Sequence, residues 1–350
     1  MKSKMLHIVW MLFFLVACIG ERSEDGGGES LGSRGKIDVE ILVRGADEHD
    51  FVRTVRFVVF DDASVSPTLD INELVALGDE ERDATRFKTT LEVKTNPDKM
   101  LVVVVNEPQV MTSVLNAVIA PEQLEEMLFR MDDAFSFDHV QPLMSGIPMS
   151  GVKRKIVVEE NVTTNEKITI ERAVARVELW LKKADEIAFA RLSTSMNSRV
   201  LLENTYGKGY LVTGTEADKT RFQTGLEIEN NFGYMQTPTS GFEHVIWNYR
   251  DANVLELSDA PQRICMFYTP ERTYEVADDR NKLFLDIRGL SSPEGERGIR
   301  TALTEFIPEG GSSPRVITEI RRNNIYRIIG TVKEKTVQFE QAVLPWTEVE

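Results

Sequence analysis

Few residues of this chain are of the types that carry out catalysis or bind metals. The 350 residues include four histidines and two cysteines, and the histidines lie far apart. None has a partner at zinc-site spacing, and no GxSxG motif marks a nucleophilic serine. Residues 146–151 begin like a phosphate-binding loop, but Val152 stands where the lysine should follow. The sequence therefore predicts no metal, no cofactor and no enzyme. A glycosidase stays open as an alternative, because its two carboxyl groups need no motif.

The clearest chemical signal is the tetrapeptide Leu15-Val16-Ala17-Cys18, which resembles a bacterial lipobox. Lys2 and Lys4 precede an apolar run over residues 5–17. Thirteen residues are too few to cross ~30 Å of hydrocarbon but are typical of a signal peptide. We expect residues 1–17 to be a lipoprotein signal peptide and Cys18 to be the lipidation site. An ordinary secretory signal or a short membrane anchor is the alternative.

The second cysteine and the net charge exclude further classes of function. Cys265 lies in an apolar run (ICMFY), so we expect a buried side chain rather than a nucleophile. Removal of Lys2 and Lys4 leaves 39 basic against 56 acidic residues, a net charge of −17 instead of −15. A phosphate backbone would repel that charge, so no nucleic-acid partner is expected. Residues 18–35, rich in glycine, read as a flexible tether that holds the folded part away from the membrane.

The elements that would position any site are mostly strands. Residues 36–43 alternate between apolar and polar, with Ile37, Val39, Ile41 and Val43 on one face. Strands are also predicted at these positions: 51–60, 87–93, 101–105, 156–158, 167–170, 173–181, 210–212, 226–228, 244–249, 264–268, 283–288, 316–320, 324–332 and 336–343. Helices are predicted only at 109–119 and from Pro121.

Many short strands separated by turns are typical of β-sandwiches. About 315 residues is long for one sandwich, so an all-β fold of two tandem sandwiches is predicted. Residues 36–171 would form the N-terminal domain and residues 172–332 the C-terminal domain. Residues 333–350 would then be a separate C-terminal segment.

The two ends of the folded part suggest assembly. The first strand, 36–44, ends at Arg44, in a turn that should be exposed to proteases. If it were removed, an alternating strand from another copy could fill the groove by main-chain hydrogen bonding. Val337, Phe339 and Val343 share a face of the last predicted strand and supply such a pattern. The alternative is that both strands complete their own sandwiches.

A set of motifs in this order resembles the fimbrillin family of Bacteroidales, the lipoprotein-derived type V pilins. The motifs are the lipobox, the strand ending in Arg44, and residues 55–60 (VRFVVF), 100–106 (MLVVVVN), 143–146 (LMSG), 172–179 (RAVARVEL) and 323–326 (NNIY). The resemblance covers almost the whole chain.

The resemblance implies two transthyretin-like β-sandwich domains and export as an outer-membrane lipoprotein to the cell surface. It implies cleavage by an arginine-specific protease at Arg44, with Ile37, Val39, Ile41 and Val43 as the strand removed. Polymerisation by donor-strand exchange would follow, with other fimbrial subunits as partners. The donor segment would contain Val337, Phe339, Val343 and Trp346.

Several alternatives stay open. Arg34 and Arg53 are competing cleavage sites. The family also includes anchor and tip subunits, and Pro345, which cannot donate to a ladder, weakens the donor assignment. A surface lipoprotein that binds glycans or host proteins without polymerising is a different class. Exposed aromatic residues could serve it, and the candidates are Trp247, Tyr249, Tyr206 and Tyr210.

Overall fold

The computed structural model describes residues 33–43, 52–78, 86–134, 146–193, 199–212, 245–247, 254–273, 282–308 and 313–346. Strands dominate these residues, and their helices are short. None of the described helices is long and apolar enough to cross a membrane. Cys18, Arg44 and the strand predicted at 226–228 lie outside the described residues.

The strands up to residue 172 are β1 (Arg34–Val43), β2 (Thr54–Asp61), β3 (Thr68–Ala76), β4 (Arg86–Lys94), β5 (Asn96–Val105), β6 (Leu128–Arg130), β7 (Met149–Val158) and β8 (Thr163–Arg172). A 3-10 turn (Gln109–Met111) and the short helices α1 (Thr112–Asn116), α2 (Pro121–Glu125) and α3 (Met131–Ala134) lie between β5 and β7.

The later strands are β9 (Val174–Lys183), β10 (Arg191–Ser193), β11 (Arg199–Glu203), β12 (Lys208–Tyr210), β13 (Val245–Trp247), β14 (Val254–Glu256), β15 (Gln262–Pro270), β16 (Arg272–Thr273), β17 (Phe284–Ser292), β18 (Gly295–Ala302), β19 (Glu305–Phe306), β20 (Arg315–Val316), β21 (Glu319–Ile320), β22 (Asn324–Val332) and β23 (Val337–Pro345).

Seven of the first eight strands form one sheet in the order β3-β2-β5-β7-β8-β1-β4. β7 and β8 pair only at Met149–Arg172 and Ser150–Glu171. The sheet therefore divides into two layers, β3-β2-β5-β7 and β8-β1-β4. Both layers contribute to one buried apolar cluster, the N-terminal core, which includes Ile37, Val55, Leu101, Ile156 and Ile168.

The later strands form a second pair of sheets. One has the order β13-β15-β9-β22-β23, and the other has the order β11-β17-β10-β14 with β18 beside β17. Their facing side chains make the C-terminal core, which includes Leu179, Val200, Phe267, Leu285 and Ile328. This packing of sheet on sheet confirms the predicted all-β fold with a few short helices.

A third cluster, the shared core, joins the two groups of strands. It contains Phe60 and Val104 from the first sheet and Met266, Ile325 and Trp346 from the C-terminal part. β6 and β12 also pair across the two groups. Ser33–Glu350 accordingly forms one compact unit, and the domain boundary at residues 171–172 stays a prediction.

The strands that the sequence patterns missed include two, β3 and β18, whose two faces are both partly exposed. β3 is an edge strand of half-exposed residues, and β18 is likewise without a fully buried position. Such strands carry no clear apolar–polar alternation, since neither face is committed to a core. In the predicted helical region, α2 does begin at Pro121.

Candidate functional site: the first strand and the C-terminal strand

β1 lies between two other strands of its layer and is paired along both edges. It runs antiparallel to β4, from Arg34–Lys94 to Leu42–Arg86, and parallel to β8, from Lys36–Thr163 to Val43–Ile170. The main chain of β1 thus has a partner strand on each side over nearly its whole length. A strand in this position cannot leave without exposing unpaired edges on both neighbours.

The inward face of β1 is part of the N-terminal core. Ile37 is 0% exposed, and Val39 and Ile41 are each 1% exposed. Burial of three branched side chains stabilises the strand by several kcal/mol, at ~1.5–3 kcal/mol each. The predicted inward face is therefore observed for these three residues, while the side chain of Val43 is not described.

The outward face of β1 carries a cluster of charges centred on Glu40. Lys88 of β4 and Lys167 of β8 are the residues directly opposite Glu40 on the two sides. Their Nζ atoms lie 3.7 and 3.6 Å from the Glu40 carboxylate, and Arg86 Nε lies at 3.5 Å. The Glu40 side chain is only 13% exposed.

This cluster borders a depression of about 300 Å³ that spans β4, β1 and β8. Asp38 lines the same depression and accepts a hydrogen bond of 2.6 Å from Thr90 Oγ1. Ion pairs between neighbouring strands can be identified only when the pairing of the strands is known, so the sequence alone did not predict this cluster.

The beginning of β1 is held close to the β7–β8 turn. A Cβ atom at Gly35 would lie 2.5 Å from Glu159 O and 2.5 Å from Val158 Cγ1. Only glycine allows this close approach of the two main chains. The other end of β1 is Val43, which is followed directly by Arg44.

The competing cleavage sites differ in their surroundings. Arg34 is the exposed first residue of β1 and pairs with Lys94. At Arg53 the main-chain N–H donates to Asn106 Oδ1 at 2.8 Å, and the carbonyl accepts from Leu77 N at 2.8 Å. These bonds tie Arg53 to its neighbours, and a protease needs a segment that can extend into its active site.

The predicted donor segment forms β23, at the edge of its own sheet. β23 pairs antiparallel with β22 from Val332–Val337 to Asn324–Pro345. Val337, Phe339 and Val343 are partly buried against the C-terminal core. Ile307 N also donates to Gln341 O at 3.1 Å, which ties the outer edge of β23.

Trp346 follows β23 and is fully buried, at 1% exposure, in the shared core. Its ring stacks on Tyr268 with centroids 5.9 Å apart and an angle of 8° between the planes. The guanidinium carbons of Arg172 and Arg176 lie 4.3 and 4.7 Å from its centroid. Contacts between cations and aromatic rings of this kind are strongest where water is excluded.

The main chain at Trp346 is fixed as well as the ring. Its N–H donates to Asn323 O at 3.0 Å, and its carbonyl accepts from Arg172 Nη1 at 2.8 Å. Arg172 Nη1 also donates to Asn323 Oδ1 at 2.8 Å. Asn323 has a φ of 58°, a left-handed conformation that asparagine tolerates. The sequence marked Trp346 as a donor residue and gave no sign of this anchor.

Arg176 has an environment that opposes its charge. Burial lowers the pKa of Arg176, while the Glu178 carboxylate, 2.9 Å away, acts in the opposite direction. Its guanidinium completes the stack on Trp346, so this buried charge helps to hold the end of β23.

The remaining candidates from the sequence are buried or lie outside the described residues, except Tyr210, which is half-buried. Cys265 is 0% exposed, and burial raises the pKa of its thiol, so the reactive thiolate is disfavoured. Tyr206 is 9% exposed and packs against Arg272. Tyr249 and the side chain of Trp247 are not described. Among the described residues, no group of three histidine, cysteine or acidic side chains could hold a metal.

Comparison with known proteins confirms the resemblance to Bacteroidales fimbrial proteins. The chain is similar to the major fimbrium subunit FimC of Porphyromonas gingivalis, with 21% identity over 362 positions that cover 98% of this chain and 69% of FimC. No family model matches the chain.

Solved structures share the fold at low sequence identity. The tip fimbrial protein Mfa3 of Porphyromonas gingivalis, with a C-terminal truncation, gives a TM-score of 0.56 at 14% identity and covers 89% of this chain and 100% of that one. A candidate cell adhesion protein of Bacteroides eggerthii gives 0.54 at 12% identity and covers 93% and 100%. Together with the curated relative, these neighbours support a fimbrial adhesion role at the cell surface.

Proposed function

We propose that this chain is a structural subunit of a fimbrium, exported as an outer-membrane lipoprotein through Cys18 and cut by an arginine-specific protease after Arg44. The cut would free β1, and a strand from another fimbrial subunit would take its place. One observation carries the proposal. β1 is a strand with alternating apolar and polar residues, paired on both edges, that ends one residue before an arginine.

Loss of β1 would leave a groove suited to one kind of ligand. Its walls would be the unpaired edges of β4 and β8, and its floor would be the part of the N-terminal core now covered by Ile37, Val39 and Ile41. An extended segment with apolar side chains at alternate positions satisfies both the edges and the floor. Water satisfies only the edges, so an empty groove would be unstable.

The pattern of β23 matches that of β1. Residues 337–343 (VQFEQAV) place Val337, Phe339 and Val343 where β1 has apolar residues, and Gln341 is the exception. Glu340 is central in 337–343, as Glu40 is in 37–43. The central position is the same in either strand direction, so Glu340 of an incoming strand would face Lys88 and Lys167 in both cases.

A second role, that of an end subunit such as a tip or an anchor, is favoured by a specific observation. β23 is paired with β22, and Trp346 is held by Arg172, Arg176 and Tyr268. A chain that keeps these contacts can accept a strand but has none to donate. The similarity in fold to a tip fimbrial protein points in the same direction.

Proteolysis with a matched variant tests the proposal. We expect an arginine-specific protease to give a new N-terminus at Gly45 in the wild type and not in Arg44→Ala. Arg34→Ala is the control, and its cleavage after Arg44 should be unchanged. An uncut wild type, or cleavage only after Arg34 or Arg53, would contradict the maturation step.

The cleaved protein then separates the two roles. Ladders that resist SDS indicate a polymerising subunit that uses β23 as donor. Cleaved monomers that bind a peptide of residues 336–346 indicate an acceptor that ends the fibre. Cleaved monomers that bind no strand would contradict strand exchange and leave a surface lipoprotein that binds glycans or host proteins. In the uncleaved protein, Cys18→Ser should cause release from the membrane fraction whichever role applies, and the cut after Arg44 itself removes Cys18 with its lipid.

A further inference from the structure

Lys99, Asp61 and Asp70 form a buried cluster that plays no part in strand exchange. Lys99 Nζ lies 2.5 Å from Asp61 Oδ1 and 2.6 Å from Asp70 Oδ2. The side chains of Lys99 and Asp70 are both 0% exposed, and that of Asp61 is 20% exposed. One amine is thus enclosed with two carboxyl groups, one fully buried and the other partly open to water.

The main chain brings these residues together through a bulge. In the regular β2–β5 pairing, Asp61 is directly opposite Lys99. In the β2–β3 pairing, Val59 is opposite Ile71 and Phe60 is opposite Leu69, so Asp70 is an extra residue without a partner position. A bulge redirects the side chain of its extra residue. The Asp70 carboxyl group thus meets an amine from β5, which is not the neighbour of β3.

The cluster adjoins the N-terminal core. Val59 and Leu101 lie two residues from Asp61 and Lys99 and are 0% exposed in the N-terminal core. Asp70 Oδ2 accepts a second hydrogen bond, from Lys94 N at 2.8 Å. Asp70 Oδ1 is buried and has no hydrogen-bond partner among the described residues.

Condensation of an amine with a carboxyl group requires both groups in their uncharged forms. Removal of an ammonium and two carboxylates from water costs several kcal/mol per ion, and two negative groups share one positive partner here. Proton transfer from Lys99 to a carboxylate replaces ions by a neutral amine and a neutral acid. A neutral amine is a nucleophile, and a neutral carboxyl group can lose its hydroxyl as water.

We propose that Lys99 and Asp70 form an intramolecular isopeptide bond. Lys99 Nζ attacks Asp70 Cγ and forms a C–N bond. Asp61 takes a proton from the nitrogen and returns it to the departing hydroxyl group, so the C–O bond breaks and one water molecule leaves. No oxidant or other reactant is needed. Lys99 is the nucleophile, Asp70 the electrophile and Asp61 the catalytic proton carrier.

The bond would lock an exposed edge of the molecule. β3 is the edge strand of the first sheet and pairs only with β2. A link from Asp70 to Lys99 would join β3 covalently to β5 and close a loop in the unfolded chain. Cross-links of this type stabilise chiefly by restricting the unfolded state. The only cysteine in the described part is unpaired, so a disulfide does not supply such a link there.

Peptide mapping of the denatured full-length protein tests the proposal without any variant. Trypsin cannot cut at a modified lysine, so the digest should contain residues 57–82 joined to residues 95–130. The joined peptide should be lighter than the sum of the two by one water molecule. Fragmentation should place the link at Asp70 rather than Asp61, which lies in the same peptide.

Variants and an internal control sharpen the result. Lys99→Met and Asp70→Ala should lose the joined peptide completely, and Asp61→Asn should accumulate linear peptides. Lys36 and Glu92 are an exposed pair 3.7 Å apart, and cleavage after Lys36 should be normal in the same digest. Complete cleavage after Lys99 would show an ordinary ion pair and overturn the proposal. A link at Asp61, or one at Lys36 as well, would overturn it equally.

Discussion

At the scale of single residues, the end of β23 is held by a stack of side chains that could not be predicted from sequence patterns. Trp346 lies between two guanidinium groups and the Tyr268 ring, and it buries its surface completely. Arg172 makes two contacts with Trp346, because its guanidinium group packs on the Trp346 ring and also donates a hydrogen bond to the Trp346 carbonyl. Release of β23 from its sheet would therefore require this stack to break in addition to the pairing with β22.

Trp346→Ala should destabilise the protein by about 3–5 kcal/mol, the range for removing a buried aromatic side chain. The substitution leaves a cavity in the shared core. It also removes the aromatic ring on which the two buried guanidinium groups of Arg172 and Arg176 pack. Urea unfolding measures the free energy directly. Val65→Ala is the control, because Val65 is fully exposed, and its effect should stay within about 0.5 kcal/mol. An equal effect of both variants would mean that Trp346 does not anchor β23.

At the scale of elements, β1 has two different faces with separate tasks. The inward face supplies apolar burial, which any alternating strand can imitate. The outward face places Glu40 between Lys88 and Lys167. In the proposed exchange, these two lysines would favour the register that puts an acidic residue of the incoming strand at the position of Glu40. Opposite charges across a strand pair contribute roughly 0.2–1 kcal/mol each. The charges thus select among strands that the apolar floor would accept alike.

Protein cleaved after Arg44 should therefore bind a peptide of residues 336–346 about tenfold more tightly than the same peptide with Glu340→Lys. Two lost attractions and two new repulsions add up to about 1.4 kcal/mol, which is a factor of ten. Competition against a labelled peptide measures the ratio, and higher salt should reduce it.

The control for this experiment is a peptide with Gln338→Lys, which adds one positive charge away from the central position and so makes half the change in charge of Glu340→Lys. Lys88→Glu in the protein should recover part of the binding of the Glu340→Lys peptide. Equal affinities of all peptides would show that the Glu40 position does not set the register.

At the scale of the whole molecule, the shared core decides how the parts depend on one another. Phe60 and Val104 pack in the same cluster as Met266, Ile325 and Trp346. Apart from the β6–β12 pair, the strands up to β8 and the strands from β9 onward form separate sheets. In the shared core, however, apolar side chains of each group are covered by side chains of the other. A boundary near residue 171 would therefore separate two groups of sheets, but we do not expect either group to be stable without the other.

Thermal unfolding of the intact chain should accordingly show one cooperative transition. Calorimetry checks this, because the calorimetric and van't Hoff enthalpies should agree. Two well-separated transitions in the wild type would contradict it and would identify two domains that are stable independently. Trp346→Ala should lower the temperature of this single transition, since it removes part of the shared core.

The sequence by itself determined the local character of this protein. The period of two from Ile37 to Val43 and the tetrapeptide that resembles a lipobox, ending at Cys18, are patterns of residues close together in the chain. The low number of catalytic residue types is a property of the composition. Hence the all-β fold, the inward face of β1 and the fimbrial resemblance could be predicted. Only the tertiary structure decided which strands flank β1, that β23 is an edge strand, and that a bulge brings Asp70 to Lys99. The physical reason is that strand pairing joins residues far apart in the sequence, and its register depends on packing that no single segment encodes.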